Sequence, residues 1–292
     1  MALNLVDIKT IYAEDKKLKE KDVKALVKWV ENQPHLPNIG DFEAILFLKK
    51  CDYRLVHSQT VVDTYFTLKR LWPDVFLERN YAKYPQQQGI FDTMIMMTLP
   101  KRTPEGYTII FVQPLNDNMT NYKVELFMKY VHSVCMLDVY QNGPPNGHIM
   151  VHDLKHFPES FVSKMEYGLF KKFFYYDYEV LPTIQIKGLH FFNSNPKSDE
   201  IFAVFESAAL KALLPLVKAH KSFDDLLKVV PKECLPKDCG GLLEPAAVLH
   251  ENNKRELLKN GAFFDWHDQL MVDESKRPAN NTIAQNMFGF EK

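Results

Sequence analysis

Cysteine is scarce in this chain: four residues in 292, at positions 51, 135, 234 and 239. They are too few and too scattered for a disulfide framework, so reduced thiols and a cytoplasmic location are expected. The N-terminus carries no export signal, because Met1-Ala-Leu-Asn-Leu-Val-Asp-Ile-Lys9 runs into a charged stretch from Glu14 to Asp22. A leader needs a basic start and a continuous apolar segment. Long hydrophobic runs are missing as well; the longest, such as Ile201 to Phe205, has about five residues against roughly 18 for a membrane span. An excess of one charge is absent too. Lys and Arg number 36 against 37 Asp and Glu, a net charge of −1, which supplies no basic field for nucleic acid. Asn118-Met-Thr120 and Asn280-Asn-Thr282 fit the glycosylation pattern but, without a leader, read as coincidences.

Catalytic signatures are also lacking. Eleven glycines and ten histidines form no dinucleotide fingerprint, phosphate loop, nucleophile elbow or H-E-x-x-H pair. His148, His152 and His156 are spaced by four, but the first two sit in a strand-like run, where four residues cover about 13 Å. One zinc ion cannot bridge that distance, so they read as strand-end and loop histidines, and Cys234 and Cys239 as a turn. No enzyme, metal or cofactor is expected, and no triad can be assigned.

What is present is ordinary in bulk, with 46% hydrophobic and 25% charged residues, and unusual in its aromatics: 21 Phe, 13 Tyr and 3 Trp. The length suggests about two domains, and the pattern changes near residue 85. Before it, apolar stripes at helical spacing predict helices over Val23–Val30, Phe42–Leu48 and Val61–Leu68, stopped at Pro34 and Pro73. Tyr84-Pro-Gln-Gln-Gln-Gly89 reads as a linker. After it, β-rich runs at Tyr107–Val112, Gly147–His152 and Ile184–Phe192 alternate with helical stretches over 122–139 and 159–174. That alternation predicts an α/β unit with a largely parallel sheet. The expected division is 1–84, helical; 85–250, α/β; 251–292, a short helix and an irregular polar tail.

One segment stands apart. Ser198 can cap a helix, with Asp199 and Glu200 in its first turn. Ile201, Phe202, Val204 and Phe205 then cover most of the helix circumference before Ala208–Leu214 and Pro215. Such a helix is either sandwiched in a core or covers an apolar cargo. The phenylalanine clusters Phe170, Phe173, Phe174 and Phe191, Phe192 leave the same choice between core and pocket wall.

Several stretches resemble the CRAL-TRIO lipid-binding family, the family of α-tocopherol transfer protein and cellular retinaldehyde-binding protein, in particular its invertebrate members. They are Gln33-Pro-His-Leu-Pro37, Ile45-Leu-Phe-Leu-Lys-Lys-Cys51 and Val61 to Phe76 in the first part. In the second they are Gly147-His-Ile-Met-Val-His-Asp153, Ile186 to Asn193 and Leu235-Pro-Lys-Asp-Cys-Gly-Gly241. Cys239 replaces the tyrosine usual in that last turn. The resemblance implies a helical N-terminal domain packed on an α/β domain whose sheet floors an apolar cavity, with residues 198–214 as a mobile gate. It implies intracellular binding and transfer of a small hydrophobic ligand such as a tocopherol, retinoid, carotenoid, sterol or phospholipid, by a monomer with transient membrane contact. Phe170, Phe174, Ile184, Ile186, Phe202, Phe205, Leu210 and Leu214 become candidate lining residues. His132 and Ser133 are either a polar contact for the ligand or solvent-facing. Some relatives bind phosphoinositides beside the gate; Lys187, Lys211, Lys218 and Lys221 are the candidates here, or plain solvated lysines, and Gln185 stands at a second expected basic position. The rival expectation is a phosphoinositide-sensing or protein-interaction module without cargo.

Overall fold

The computed structural model describes residues 5–116, 119–155, 157–158, 161, 164–193, 198–208, 211–279 and 281, without the side chains of Ser198, Asp199, Phe202, Phe205 and Ala208. Asn118, His156, Leu210, Asn280 and Thr282 lie outside the described residues.

The N-terminal part is helical, as the stripes predict: α1 (Ile8–Glu14), α2 (Glu20–Glu31), α3 (Asp41–Lys50), α4 (Leu55–Leu71) and a single turn, α5 (Pro73–Phe76). The α2 stripe Val23, Leu26 and Val30 is buried. Glu43 accepts the Gly40 N–H at 2.8 Å and closes the first turn of α3, satisfying a donor that a helix start leaves open. Pro73 ends α4 and opens α5, since it cannot donate to the turn before it but fits the first turn of a new helix. The stretch read as a linker is a 3-10 helix, Pro85–Ile90, with Ile90 buried.

A five-stranded sheet follows: β1 (Met94–Thr98), β2 (Tyr107–Pro114), β3 (Gly147–Asp153), β4 (Ile186–Phe192) and β5 (Val217–Ala219). Its order is β1-β2-β3-β4-β5. β1 is antiparallel to β2 and the other three pairings are parallel. The crossovers are α6 (Val124–Asn142), α7 (Tyr167–Tyr175) and α8 (Ser198–Ala208). Helix α7 covers the later part of the predicted 159–174; of the earlier part, residues 159, 160, 162 and 163 lie outside the described residues. β1 and β5 were not predicted.

Alternation divides the sheet cleanly. Met94, Met96, Ile110, Val112, Met150, Leu189 and Phe191 face one core, and Ile95, Met97, Ile109, Phe111, Ile149, Val151 and Phe192 the other. The second face is covered by α9 (Phe223–Leu227), the turns at Cys234 and Cys239, and the start of α10 (Ala246–Lys259). The first core runs without a break from Val23 and Leu26 through Phe76 and Tyr176 to Met150 and Leu189. The helical part and the sheet therefore share one apolar interior. Helix α10 runs continuously through residue 250. Among the described residues no helix is long and apolar enough to cross a membrane.

The described residues from 269 to 281 form a strap. After α11 (Gly261–Asp268) the chain returns along α4. Gly261 lets the start of α11 pack closely on Asn80, because a Cβ there would meet Asn80 Oδ1 at 2.2 Å. Two buried cations wait underneath. Lys69 Nζ donates to the His267 and Leu270 carbonyls, the latter at 2.7 Å. Arg79 grips Asp268 through Nε at 2.8 Å and Nη2 at 2.6 Å, and Nη2 also reaches His267 Nδ1 at 2.8 Å. Burial, reinforced by the two cations, holds His267 neutral. Further along, Arg277 bonds Asp63 and Thr67, both at 2.7 Å, and Asn281 bonds Asp63 at 2.8 Å. Burial alone would raise the Asp63 carboxyl, but bonds from Arg277, Asn281 and His35 together hold it below the usual range.

Arg79 is almost wholly enclosed, so removing its partner leaves a stranded charge. Asp268→Ala should cost about 3 kcal/mol in urea unfolding, and Arg79→Met added to it should recover part of the loss. A loss of only a few tenths for Asp268→Ala would show that the pair does not hold the strap.

Candidate functional site

The first core contains an aromatic layer built by α5, α6 and α7. Phe170, Phe173 and Phe174 are the inward positions of α7. Their neighbours include Phe127 of α6, 6.4 Å from Phe170 and 6.1 Å from Phe173 between ring centres. After Tyr175 the helix widens into a π turn, Tyr176–Val180, a distortion often kept where a side chain must be re-aimed. Lys50 holds this turn from the α3 end. Its ammonium donates to the Asp177 carbonyl at 2.6 Å and the Ile184 carbonyl at 2.8 Å, and burial pulls its pKa down to about 8.

Into this layer the π turn delivers Asp177 opposite His132, with Nε2 to Oδ1 at 2.8 Å. The imidazole stacks on Phe76, ring centres 5.4 Å apart, and lies against Phe173 and Tyr176. Burial raises the Asp177 carboxyl, while His132 and Lys50 oppose the rise. Among the described residues, His132 Nδ1, Asp177 Oδ2 and the Tyr176 hydroxyl have no hydrogen-bond partner. Buried polar atoms are normally satisfied, so three together inside an aromatic layer need a reason. Ser133 turns elsewhere, donating to the Lys129 carbonyl at 2.7 Å and accepting from Tyr81 at 3.2 Å. Neither His132 nor Ser133 is solvent-facing; both are fully buried. Helix α6 is enclosed on nearly all sides, which removes that alternative.

Of the expected lining residues, Phe170, Phe174, Ile184 and Ile186 are all buried against protein atoms in this same core. Helix α8 presents Ile201 to the core, keeps Val204 half-buried and turns Glu200, Ala203, Glu206 and Ser207 outward. A hydrogen bond from the Tyr167 hydroxyl to the Ser207 carbonyl, 2.9 Å and exposed, ties it to α7. The side chains of Phe202 and Phe205, and the whole of Leu210, lie outside the described residues. The helix does not run to residue 214. It ends at Ala208, and the chain turns at 211–213 and makes a 3-10 turn, Leu214–Leu216, because it must reverse to lay β5 beside β4. Leu213 is buried there and Leu214 is 42% exposed.

Beside this segment lies a cleft of about 360 Å³ whose wall includes Lys50, Arg54, His57 and Lys187, with Asp52 and Glu179. Gly147 helps to shape it, since a Cβ at that position would strike Lys187 Cγ; without one, the lysine stem lies flat over the start of β3. Gln185 and Ala212 also line the cleft. Lys211, Lys218 and Lys221 are exposed, Lys211 next to that wall and Lys218 out on β5. Arg54 and His57 were not among the expected residues.

The strand histidines are interior groups. Burial drives His148 and His152 down to about 3 and His190 down to about 4. His190 Nδ1 meets His220 Nε2 at 2.9 Å at the β4–β5 seam. Among the described residues no cluster of His, Cys, Asp or Glu could hold a metal ion, and all four cysteines are free and buried.

Residues 92–241 match the family model described as CRAL/TRIO domain, and residues 15–85 match that described as Pinta-like, UBA domain. No curated protein matches significantly. Among solved structures, one titled "Crystal structure of Sfh5" is 12% identical over 82% of this chain and 90% of that chain, with a TM-score of 0.46.

The neutral histidines set a pH dependence. A histidine whose pKa falls on folding gives stability that is complete above its unfolded pKa near 6.5 and lost as pH drops toward the folded value. Between pH 6 and 5 each such group should remove about 1.4 kcal/mol per pH unit. Urea unfolding at those two pH values checks this: His152→Phe should flatten the dependence by about one such increment, and an unchanged slope would contradict it.

Proposed function

We propose that this chain, which belongs to the CRAL/TRIO family, binds a small hydrophobic ligand in the aromatic layer beneath α8 and carries it between membranes. The observation that carries this reading is the set of unpartnered polar atoms on His132, Asp177 and Tyr176 within an otherwise apolar interior. A ligand with one hydroxyl or carbonyl on an apolar body would answer one of them and bury the rest of its surface, at about 25 cal/mol per Å² removed from water. Phe170, Phe174, Ile184 and Ile186 would then move apart around it, as the rings they now touch are replaced by cargo. Residues 198–208 are suited to act as the gate, held by Ile201, Val204 and the exposed bond to Tyr167. An apolar face freed in this way would meet a bilayer surface, consistent with a cytoplasmic carrier that touches membranes transiently.

The basic cleft supports a second element of the same reading. Lys50 is occupied by two carbonyls, which leaves Arg54, His57 and Lys187 to receive phosphate oxygens. We assign this cleft to a phosphoinositide head group that assists release, with Lys211 at its margin and Lys218 and Lys221 contributing long-range attraction. If head-group binding occurs without any cargo, the chain is a sensing module and not a carrier.

Protein purified from its native source, extracted with organic solvent and examined by mass spectrometry should yield close to one lipid per chain. Phe202→Asp with Phe205→Asp should lose that lipid while the fold survives. A fully folded protein that neither holds lipid nor accepts tocopherol, retinoid, sterol or phospholipid in vitro would refute the carrier role.

In flotation with vesicles containing phosphatidylinositol 4,5-bisphosphate, Arg54→Ala with Lys187→Ala should weaken binding roughly tenfold, about 1.4 kcal/mol. Lys218→Ala with Lys221→Ala should change it only a few-fold. Equal effects from the two pairs would argue for a diffuse surface over the cleft.

A further inference from the structure

A larger cleft, of about 650 Å³, lies between α5, the 3-10 helix at Pro85–Ile90 and the first turns of α6. It shares no residue with the basic cleft and owes nothing to the lipid reading. Its wall includes Lys129, of which 2% is exposed. Among the described residues the Lys129 ammonium has no hydrogen-bond or ion-pair partner. Burial lowers its pKa to about 8, while Glu78 and Asp74 favour the charge from a distance without touching it. The Lys129 stem is buried while its ammonium meets the cleft, where a ligand oxygen could accept from it in place of water.

The opposite wall is also particular. Glu78 adopts a left-handed backbone, φ +57°, which a side-chain-bearing residue occupies only when its surroundings compel it. That turn sends Arg79 inward to Asp268 and leaves Glu78 in the cleft wall, where its carboxylate accepts from Gln87 at 3.3 Å. Asp74 and Glu125 add carboxylates, and Lys123 one more ammonium. A simple anion would satisfy Lys129 but face three carboxylates. A simple cation would suit the carboxylates and leave Lys129 unanswered.

We propose that this cleft binds a zwitterion of the free amino-acid type, its carboxylate on Lys129 and its ammonium between Glu78 and Asp74.

Saturation-transfer NMR on the full chain with pools of the common L-amino acids tests this, with acetate and ethylammonium as single-charge controls. At least one amino acid should bind, more tightly than either control. Lys129→Met and Glu78→Gln should each weaken that binding roughly tenfold. Lys129→Met should not lower the melting temperature, because the methionine removes an unanswered charge; if it fails to fold, Glu78→Gln decides the question alone. Absence of saturation transfer from every amino acid overturns the proposal. So does binding unchanged in the folded variants, and so does acetate binding as well as any zwitterion.

Discussion

Lys69 and Arg79 are closed inside the protein, and acceptors for them come from the far end of the chain. The His267 and Leu270 carbonyls and the Asp268 carboxylate are supplied by α11 and the strap behind it. Two cations in an apolar interior cannot be tolerated without such partners. This requirement fixes how the strap crosses α4 and how Arg79 turns inward. Through that inward turn it also sets the left-handed residue before it. The Arg277–Asp63 contact then extends the fastening to residue 281.

Buried polar groups in this molecule fall into two kinds. Half-buried Lys50 and buried Lys69 and Arg79 are answered by carbonyls or a carboxylate, and Asp63 by a guanidinium, an imidazole and an amide; each joins elements far apart in sequence. His132 with Asp177, Tyr176 and Lys129 keep atoms that protein does not answer. The first kind fastens the strap to the helical part and ties the end of α3 to the π turn. Of the second kind, His132, Asp177 and Tyr176 lie in the aromatic layer and Lys129 in the wall of the cleft at α5.

Much of the architecture was legible because it rests on local periodicity. The stripe Val23, Leu26, Val30 and the strands at Tyr107, Gly147 and Ile186 announce themselves over a few residues. β1 did not, since Met94-Ile-Met-Met-Thr98 lacks polar–apolar alternation and is mostly methionine, and β5, Val217-Lys-Ala219, is too short to carry a pattern. The aromatic positions of α7 could be read as core or pocket wall from sequence, but the enclosure of His132 could not. Its shell comes from Phe76, Phe173 and Tyr176, on elements some forty to sixty positions away. Lys69 looks like any basic residue near a helix end, where the dipole favours it. Only the returning strap makes it interior. Arg54 and His57 escaped notice because their cleft is assembled by β4 and the turn after α8.

The strap also has a consequence in time. Residues 15–85 leave the ribosome early, yet Lys69 and Arg79 among them lack acceptors until residues 267–270 have emerged. Some two hundred residues of synthesis separate the need from the supply. Through that interval the helices hold two uncompensated charges at positions destined for the interior, which favours keeping α4 and α5 hydrated and loosely joined. Final consolidation of residues 15–85 is therefore postponed until residues 267–270 arrive, and a chain broken off before them would leave the helical part unfinished.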